Sequence, residues 1–507
     1  MAEIGVIAAG HELSARAGAE ALRAGGNAVD AALAAMLTAV CCESLLTGLG
    51  AGGYMLVVPV GSEPVLLDFF VEMPGRGLQP GAVAELVPVE ISFGDAVQVF
   101  NIGPASVGTY GVPAGVAAAS ERFGRLPLAQ LTAPAAALAR EGVPLNGPQA
   151  RIVEILSELV TSTPECAALF APAGELLRAG DVLRQPGLAD ALEVLGSHGA
   201  GPFYTGAQAA AIADWLGPRG GLLTLDDLAA YRVIDREPVR VGFRGREVLT
   251  NPPPSAGGIL IARALSLLAA DAGPAPLSAV IEVMRRTQAA RTTEFLAGLD
   301  EPGFAERFLH AQLGGGSAGA GRLGSTTHVA ALDRDGLACS VTCSNGSSSG
   351  VVVPGTGIHL NNMLGEQDLN PLGFHRYPAG RRLPSMMAPT VVRRAGAAEL
   401  VLGSAGSNRI RSAILQTILR VVDDGLDAGE AVRAPRVHFE DGVLFTEPGV
   451  QLDSLQVGAG AHAGFRELNL FFGGVQAVQR DSSGRFWGGG DPRRGGAAFV
   501  VSDPDGA

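Results

Sequence analysis

The most constraining feature of this chain is an abrupt change of pattern well past its midpoint. Residues 314–324 read GGGSAGAGRLG, a tract without apolar period and with the composition of a flexible linker. Directly after it, residues 325–344 (STTHVAALDRDGLACSVTCS) alternate apolar and polar side chains about Asp333-Arg334-Asp335-Gly336, the pattern of a β-hairpin. A loose tether therefore runs straight into the first residue of a strand. Counting outward from the turn with Leu332 opposite Leu337 predicts Thr326 opposite Cys343, with Ser344 one step beyond.

Upstream of the tract, helical spacing dominates. Residues 14–40 read as an alanine-rich helix broken at Gly25-Gly26, followed by the glycine cluster TGLGAGG (47–53) and two strand-like runs, 54–60 and 64–72. Residues 110–300 are mostly helical by period, interrupted by strand-like sequence within 226–258 that ends in a proline-glycine loop. Downstream, strands are expected at 350–354, 388–394, 398–404, 476–480 and 495–502. An amphipathic helix over 410–425 carries Ile410, Ile414, Ile418 and Val421 on one face. Sheet material toward both ends, with helices packed on it, is an α+β pattern that a four-layer αββα sandwich fits.

Charge and composition exclude several classes. The formal net charge of −13 opposes a phosphate backbone, and no basic run offsets it, so no nucleic-acid partner is expected. No run of about 18 apolar residues offers a membrane span. The first residues show no basic stretch followed by an apolar one, which predicts a cytoplasmic location. Five cysteines, none in CxxC spacing, read as buried reduced thiols, and the eight scattered histidines form no zinc spacing. No cofactor or metal is implied.

Two glycine motifs do not survive their context. Residues 48–53 match G-x-G-x-x-G, but they stand between a helix and a following strand, whereas a dinucleotide fold needs strand, glycines and then helix. Residues 315–319 match G-x-S-x-G inside the linker, where no strand-to-helix elbow can form.

The junction Ser325-Thr326 carries chemistry of its own. If that bond breaks, Thr326 presents a hydroxyl and a free α-amine, whose ordinary pKa of about 8 suits it to take the hydroxyl proton. Ser344 falls within reach of either group. On residues alone, this threonine also reads as an ordinary strand start.

A set of blocks favours the first reading. The segments TTHVAALDRDGLACSVT (326–342), GVVVPGTGIHLNN (350–362), RRLPSMMAPT (381–390), GSAGSNRI (403–410) and APRVH (434–438) resemble the small subunit of γ-glutamyltranspeptidases. GGNAVDAA (25–32), GLGAGGYMLV (48–57), residues 231–258 and DPRRGGAA (491–498) follow in that family's order. The resemblance implies an N-terminal-nucleophile hydrolase made as a precursor. Its large chain would be 1–325 and its small chain 326–507, together one structural domain. Thr326 would attack a γ-glutamyl amide and pass the acyl group to water or to an acceptor amine. A higher homo-oligomer is left open.

Carried over position by position, the family's pattern places Ser344 beside the nucleophile and the oxyanion-binding backbone amides at Gly406 and Ser407. Substrate contacts fall at Asn345, Met363, Glu366, Ser385 and Met386. Val71 stands where the family has the arginine that grips the substrate's α-carboxylate, and Arg76 and Arg409 are the candidates to replace it. Residues 366–381 are short where typical members carry a lid loop, which predicts an open pocket. Two alternatives follow from these departures: an acylase for another acyl group, such as glutaryl, and an uncleaved, inactive homologue.

Overall fold

The computed structural model describes residues 2–79, 84–92, 97–270, 273–311, 325–452 and 461–503. The linker tract 314–324 lies outside the described residues.

The first helix, Glu12–Arg23, ends where Gly25 takes a φ of 87°. Asn27 then caps the second, Ala28–Cys42, through a capping box with Asp30. The expected break at Gly25-Gly26 is thus a full stop between two helices. They pack closely because Gly18 lies against Ala31: a Cβ on Gly18 would sit 2.8 Å from the Ala31 carbonyl oxygen.

Two antiparallel sheets form the middle of the molecule. The first runs, in spatial order, Ala497–Ser502, Glu3–Ala9, Thr327–Asp333, Ala338–Ser344, Gly52–Val58, Val65–Phe69 and Ile234–Arg236. The second runs Phe486–Gly490, Gly474–Arg480, Ala397–Ala405, Thr390–Arg394, Arg246–Thr250 and Val239–Phe243. In the first sheet the strands alternate strictly. Val6, Ala8, Tyr54, Leu56, Ala330 and Leu332 face the second sheet, and Ile7, Ala9, Met55, Val57, Val329 and Ala331 face the helices Glu12–Arg23 and Ala28–Cys42. The far side of the second sheet is covered by Ala256–Leu268 and Arg409–Val422, with Leu277–Ala289 packed against the former. The order is helix, sheet, sheet, helix, an αββα sandwich.

The hairpin register differs from the expected one by one residue. Thr327 pairs with Cys343 and Leu332 with Ala338, so the next step outward sets Thr326 against Ser344. The cause is a three-residue loop, Arg334-Asp335-Gly336, closed by Asp333 N–H donating to the Leu337 carbonyl at 3.2 Å, with Gly336 at φ 90°. A shift of one residue changes which side chains share a face. Thr326 and Ser344 both fall on the inter-sheet face, in phase with Ala330 and Ala338.

The run 350–354 is not a strand. Gly350 at φ 71° and a turn at Gly355 leave only an isolated bridge from Val352 to His359. A hairpin at Val87–Ser92 and Val97–Ile102, and the strand Phe486–Gly490, were not expected from the sequence. Among the described residues no helix is long and apolar enough to cross a membrane, and no cluster of three or more His, Cys, Asp or Glu could hold a metal ion.

Candidate active site

Thr326 sits one residue before the strand Thr327–Asp333 and is 5% exposed. Its Oγ1 donates to Ser344 Oγ at 3.3 Å, and Ser344 Oγ donates in turn to the Ser325 carbonyl oxygen at 2.5 Å. Gly346 N–H donates to Ser344 Oγ at 3.1 Å, so the serine hydroxyl is held from three sides. The hydroxyl that would attack, and the carbonyl just upstream of it, are thus joined through one side chain.

The cavity around this pair has about 450 Å³ of space free of protein atoms, part of it open to solvent. Its wall brings together Thr326, Ser344, Met363, Glu366, Ser385, Met386 and Ser407 from five separate stretches of chain. Phe70, Asp368, Leu369, Met387 and Ile410 also line it and carry no local sequence signal that would have marked them. Asp368 and Leu369 belong to the short segment 366–381, which forms wall here.

Asn345 is not among the wall residues. It is fully buried, and its Nδ2 is turned toward the Leu360 carbonyl at 3.5 Å. Val71 is also fully buried, packed against Gly52 and Gly108, while its neighbour Phe70 supplies the wall. Neither candidate replacement arginine reaches the cavity. Arg76 is 3.5 Å from Glu72 and 3.4 Å from Asp227. Arg409 donates to the Phe471 carbonyl at 3.2 Å, stands 3.7 Å from Glu440, and lies over the Phe471 ring. Among the described residues, no cationic side chain lines this cavity.

Gly406 and Ser407 stand at the turn between the strand Ala397–Ala405 and the helix Arg409–Val422. The positive end of that helix favours negative charge at this turn, where an oxyanion would be held. Gly406 has φ 117° and Ser407 φ 50°, so the serine keeps a left-handed backbone that glycine would adopt more readily. Ser407 Oγ donates to Asp368 Oδ2 at 3.3 Å.

Glu366 accepts from Ser347 Oγ at 2.6 Å and from Ser347 N–H at 3.0 Å. Burial nonetheless pushes its pKa up to about 7. Behind the nucleophile, Glu43 accepts from Thr327 Oγ1 at 3.0 Å, and burial likewise pushes it up to about 7. Both carboxyls hold a proton more tightly in the folded chain than at their ordinary value of 4.5. Between about 4.5 and 7 the folded state binds more protons, so stability falls as pH rises through that window. Glu366→Gln is expected to flatten part of that fall, read as Tm at pH 5, 6, 7 and 8.

The histidine nearest in sequence, His328, is not a base for Thr326. Its Nδ1 is 2.8 Å from Thr342 Oγ1, and burial drives its pKa down to about 3. No histidine lines the cavity among the described residues, and the chain has no lysine. The five cysteines are all buried and free.

A buried threonine at the head of an inner strand of an αββα sandwich, paired with a hydroxyl and lacking a histidine base, defines the N-terminal-nucleophile hydrolase class. A family model described as gamma-glutamyltranspeptidase matches residues 14–501, and the chain belongs to that family. It is 29% identical to a glutathione hydrolase proenzyme of Escherichia coli, covering 97% of this chain and 91% of that one. It is equally 29% identical to the acylase ACY 1 proenzyme of a Pseudomonas species, covering 98% and 94%. Among solved structures, a cephalosporin acylase from Bacillus halodurans superposes with a TM-score of 0.83 at 26% identity, covering 99% of this chain and 96% of that one.

Proposed function

We propose that this chain cuts itself between Ser325 and Thr326 and then works as an amidohydrolase that carries the acyl group of γ-glutamyl amides on Thr326. The observation that carries this reading is the hydroxyl relay from Thr326 through Ser344 to the Ser325 carbonyl. In the precursor, Thr326 Oγ attacks the Ser325 carbonyl carbon, and Ser344 O–H stabilises the charge developing on its oxygen. The Ser325 carbonyl carbon–Thr326 nitrogen bond breaks as that nitrogen takes the proton given up by the Thr326 hydroxyl; the Ser325 acyl group is left on Oγ1 as an ester, which water hydrolyses. The Thr326 α-amine is then free.

In the processed enzyme the neutral amine takes the Thr326 hydroxyl proton as the oxygen attacks a substrate amide. The tetrahedral oxyanion falls to the backbone amides of Gly406 and Ser407. The proton passes to the leaving amine, and the acyl-enzyme is resolved by water or by an acceptor amine. Of the short segment 366–381 only Glu366, Asp368 and Leu369 line the cavity, part of which is open to solvent, and this supports hydrolysis over transfer. Incubated to full cleavage, the enzyme should release p-nitroaniline from γ-glutamyl-p-nitroanilide; no release sinks this reading.

A second reading has its own support. Among the described residues the wall has acids at Glu366 and Asp368 and no cation, so a γ-glutamyl α-carboxylate finds no charged partner among them. A charge-assisted pair of that kind contributes roughly 1.5–3 kcal/mol. An acylase for an acyl group without that carboxylate fits the same machinery, and an acylase is among the relatives. Faster release from acyl p-nitroanilides lacking the α-carboxylate than from the γ-glutamyl compound would select it.

A further inference from the structure

The charge that an acyl group can bring to Thr326 is set by what lines the cavity. Among the described residues its ionisable side chains are Glu366 and Asp368, with no arginine or histidine beside them. Asp368 accepts from Ser407 Oγ at 3.3 Å and lies in the field of Arg409 behind the oxyanion turn. Glu366 has no such cation. It is buried, and the two bonds from Ser347, at 2.6 and 3.0 Å, both fall on its Oε1. A buried carboxylate served by neutral donors alone is costly, and a cation that joins it offsets that cost.

Most of the remaining wall is apolar: Phe70, Met363, Leu369, Met386, Met387 and Ile410. A ring face and thioether sulfurs tolerate a neighbouring ammonium, whereas they give a carboxylate no hydrogen to accept. The hydroxyl of Ser407 is given to Asp368, and those of Thr326 and Ser344 belong to the relay. That leaves Ser385, whose oxygen accepts from Met387 N–H at 3.0 Å, as a neutral donor. A carboxylate on this wall gains that one hydroxyl and meets the repulsion of two acids.

We propose that the acyl group this pocket selects is cationic: an apolar acyl chain with an amine that pairs with Glu366 and with no carboxylate. A 4-aminobutyryl group, which is γ-glutamyl stripped of its α-carboxylate, is the simplest member of the class. The proposal rests on Thr326 being the nucleophile of the processed enzyme, and it assigns a charge to the acyl group that the second reading leaves open. It also sets this pocket apart from one built for glutaryl, whose carboxylate needs a cation. The chemistry at Thr326 is unchanged: its oxygen displaces the leaving amine, that amine takes the hydroxyl proton, and water releases the amino acid.

Four p-nitroanilides that differ only at C4 of the acyl chain test the idea. Butyryl has neither group there, 4-aminobutyryl an amine, glutaryl a carboxylate and γ-glutamyl both. Release of p-nitroaniline by fully processed enzyme is measured at pH 8, with Thr326→Ala protein as the blank for lactam formation by the free amines. The amine is expected to raise kcat/KM about 10- to 100-fold, from butyryl to 4-aminobutyryl and from glutaryl to γ-glutamyl alike, the size of one charge-assisted bond. The carboxylate is expected to lower it in both pairs, so that 4-aminobutyryl is fastest and glutaryl slowest. In Glu366→Gln the ratio of 4-aminobutyryl to butyryl should fall toward one, and a ratio that holds at its wild-type value removes Glu366 from the assignment.

The wild-type comparison needs no variant, so it decides the matter even where Glu366→Gln fails to fold. Butyryl as fast as 4-aminobutyryl overturns the proposal. So does γ-glutamyl or glutaryl at or above the 4-aminobutyryl rate. Turnover of 4-aminobutyryl with none of γ-glutamyl supports it while sinking the γ-glutamyl reading. Silence of the processed wild type on all four compounds, by contrast, overturns the parent reading of Thr326.

Discussion

Thr326→Ala is expected to stay a single chain of 51.6 kDa through long incubation and to lose amide hydrolysis by roughly 10⁴- to 10⁶-fold, the scale of removing a catalytic nucleophile. The wild type should resolve into two bands on a denaturing gel, the smaller one beginning Thr-Thr-His on N-terminal sequencing. Both results come from one atom. On the proposed mechanism Thr326 Oγ1 is the attacking oxygen in the precursor and again in the enzyme, so deleting it stops maturation and turnover together. Its neighbours cannot substitute: Thr327 Oγ1 is bound to Glu43 on the helix-facing side of the sheet, and Ser344 has no amine of its own. Full turnover by the alanine variant, or hydrolysis by a chain that stays whole, would refute the assignment.

Ser344→Val should slow self-cleavage by about 10²- to 10³-fold, the cost of losing one donor to a developing oxyanion. Valine has the shape of threonine without the hydroxyl, so it ends the relay between Thr326 and the Ser325 carbonyl. It also strands the Gly346 N–H that Ser344 Oγ accepts. Ser344→Thr keeps the hydroxyl and should restore most of the rate. Densitometry of the precursor band against time checks both variants, and a Val variant that matures at the wild-type rate would remove Ser344 from the mechanism.

Much of this architecture was legible in the chain before any coordinates. The threonine after a glycine tract, the hairpin behind it and the matching blocks pointed to one site, and Thr326, Ser344, Met363, Glu366, Ser385, Met386 and Ser407 do line one cavity. What failed to show was whatever depended on a turn's length or on distant partners. The hairpin register slipped because a three-residue loop replaces the expected two-residue one, and that slip sets Ser344, and not Cys343, opposite Thr326. Asn345 reads as a substrate contact by its place in a motif; in the fold it lies off the cavity wall, with Nδ2 turned toward the Leu360 carbonyl. Arg76 and Arg409 read as free cations because their partners, Asp227 for the one and Glu440 and Phe471 for the other, lie far along the chain.

The strand order of the seven-stranded sheet has a consequence for how such an enzyme ages. Strands from before residue 326 and from after it interleave, with Glu3–Ala9 hydrogen-bonded between Thr327–Asp333 and Ala497–Ser502. A cut at 325/326 therefore leaves two polypeptides threaded through one another's sheet, neither with a complete core. Before the cut, an unfolded molecule can refold alone; afterward it must find its other half, and reassembly becomes a second-order event that dilution defeats. Maturation thereby exchanges reversibility for activity, and the working lifetime of the cleaved form is governed by how slowly its shared sheet comes apart.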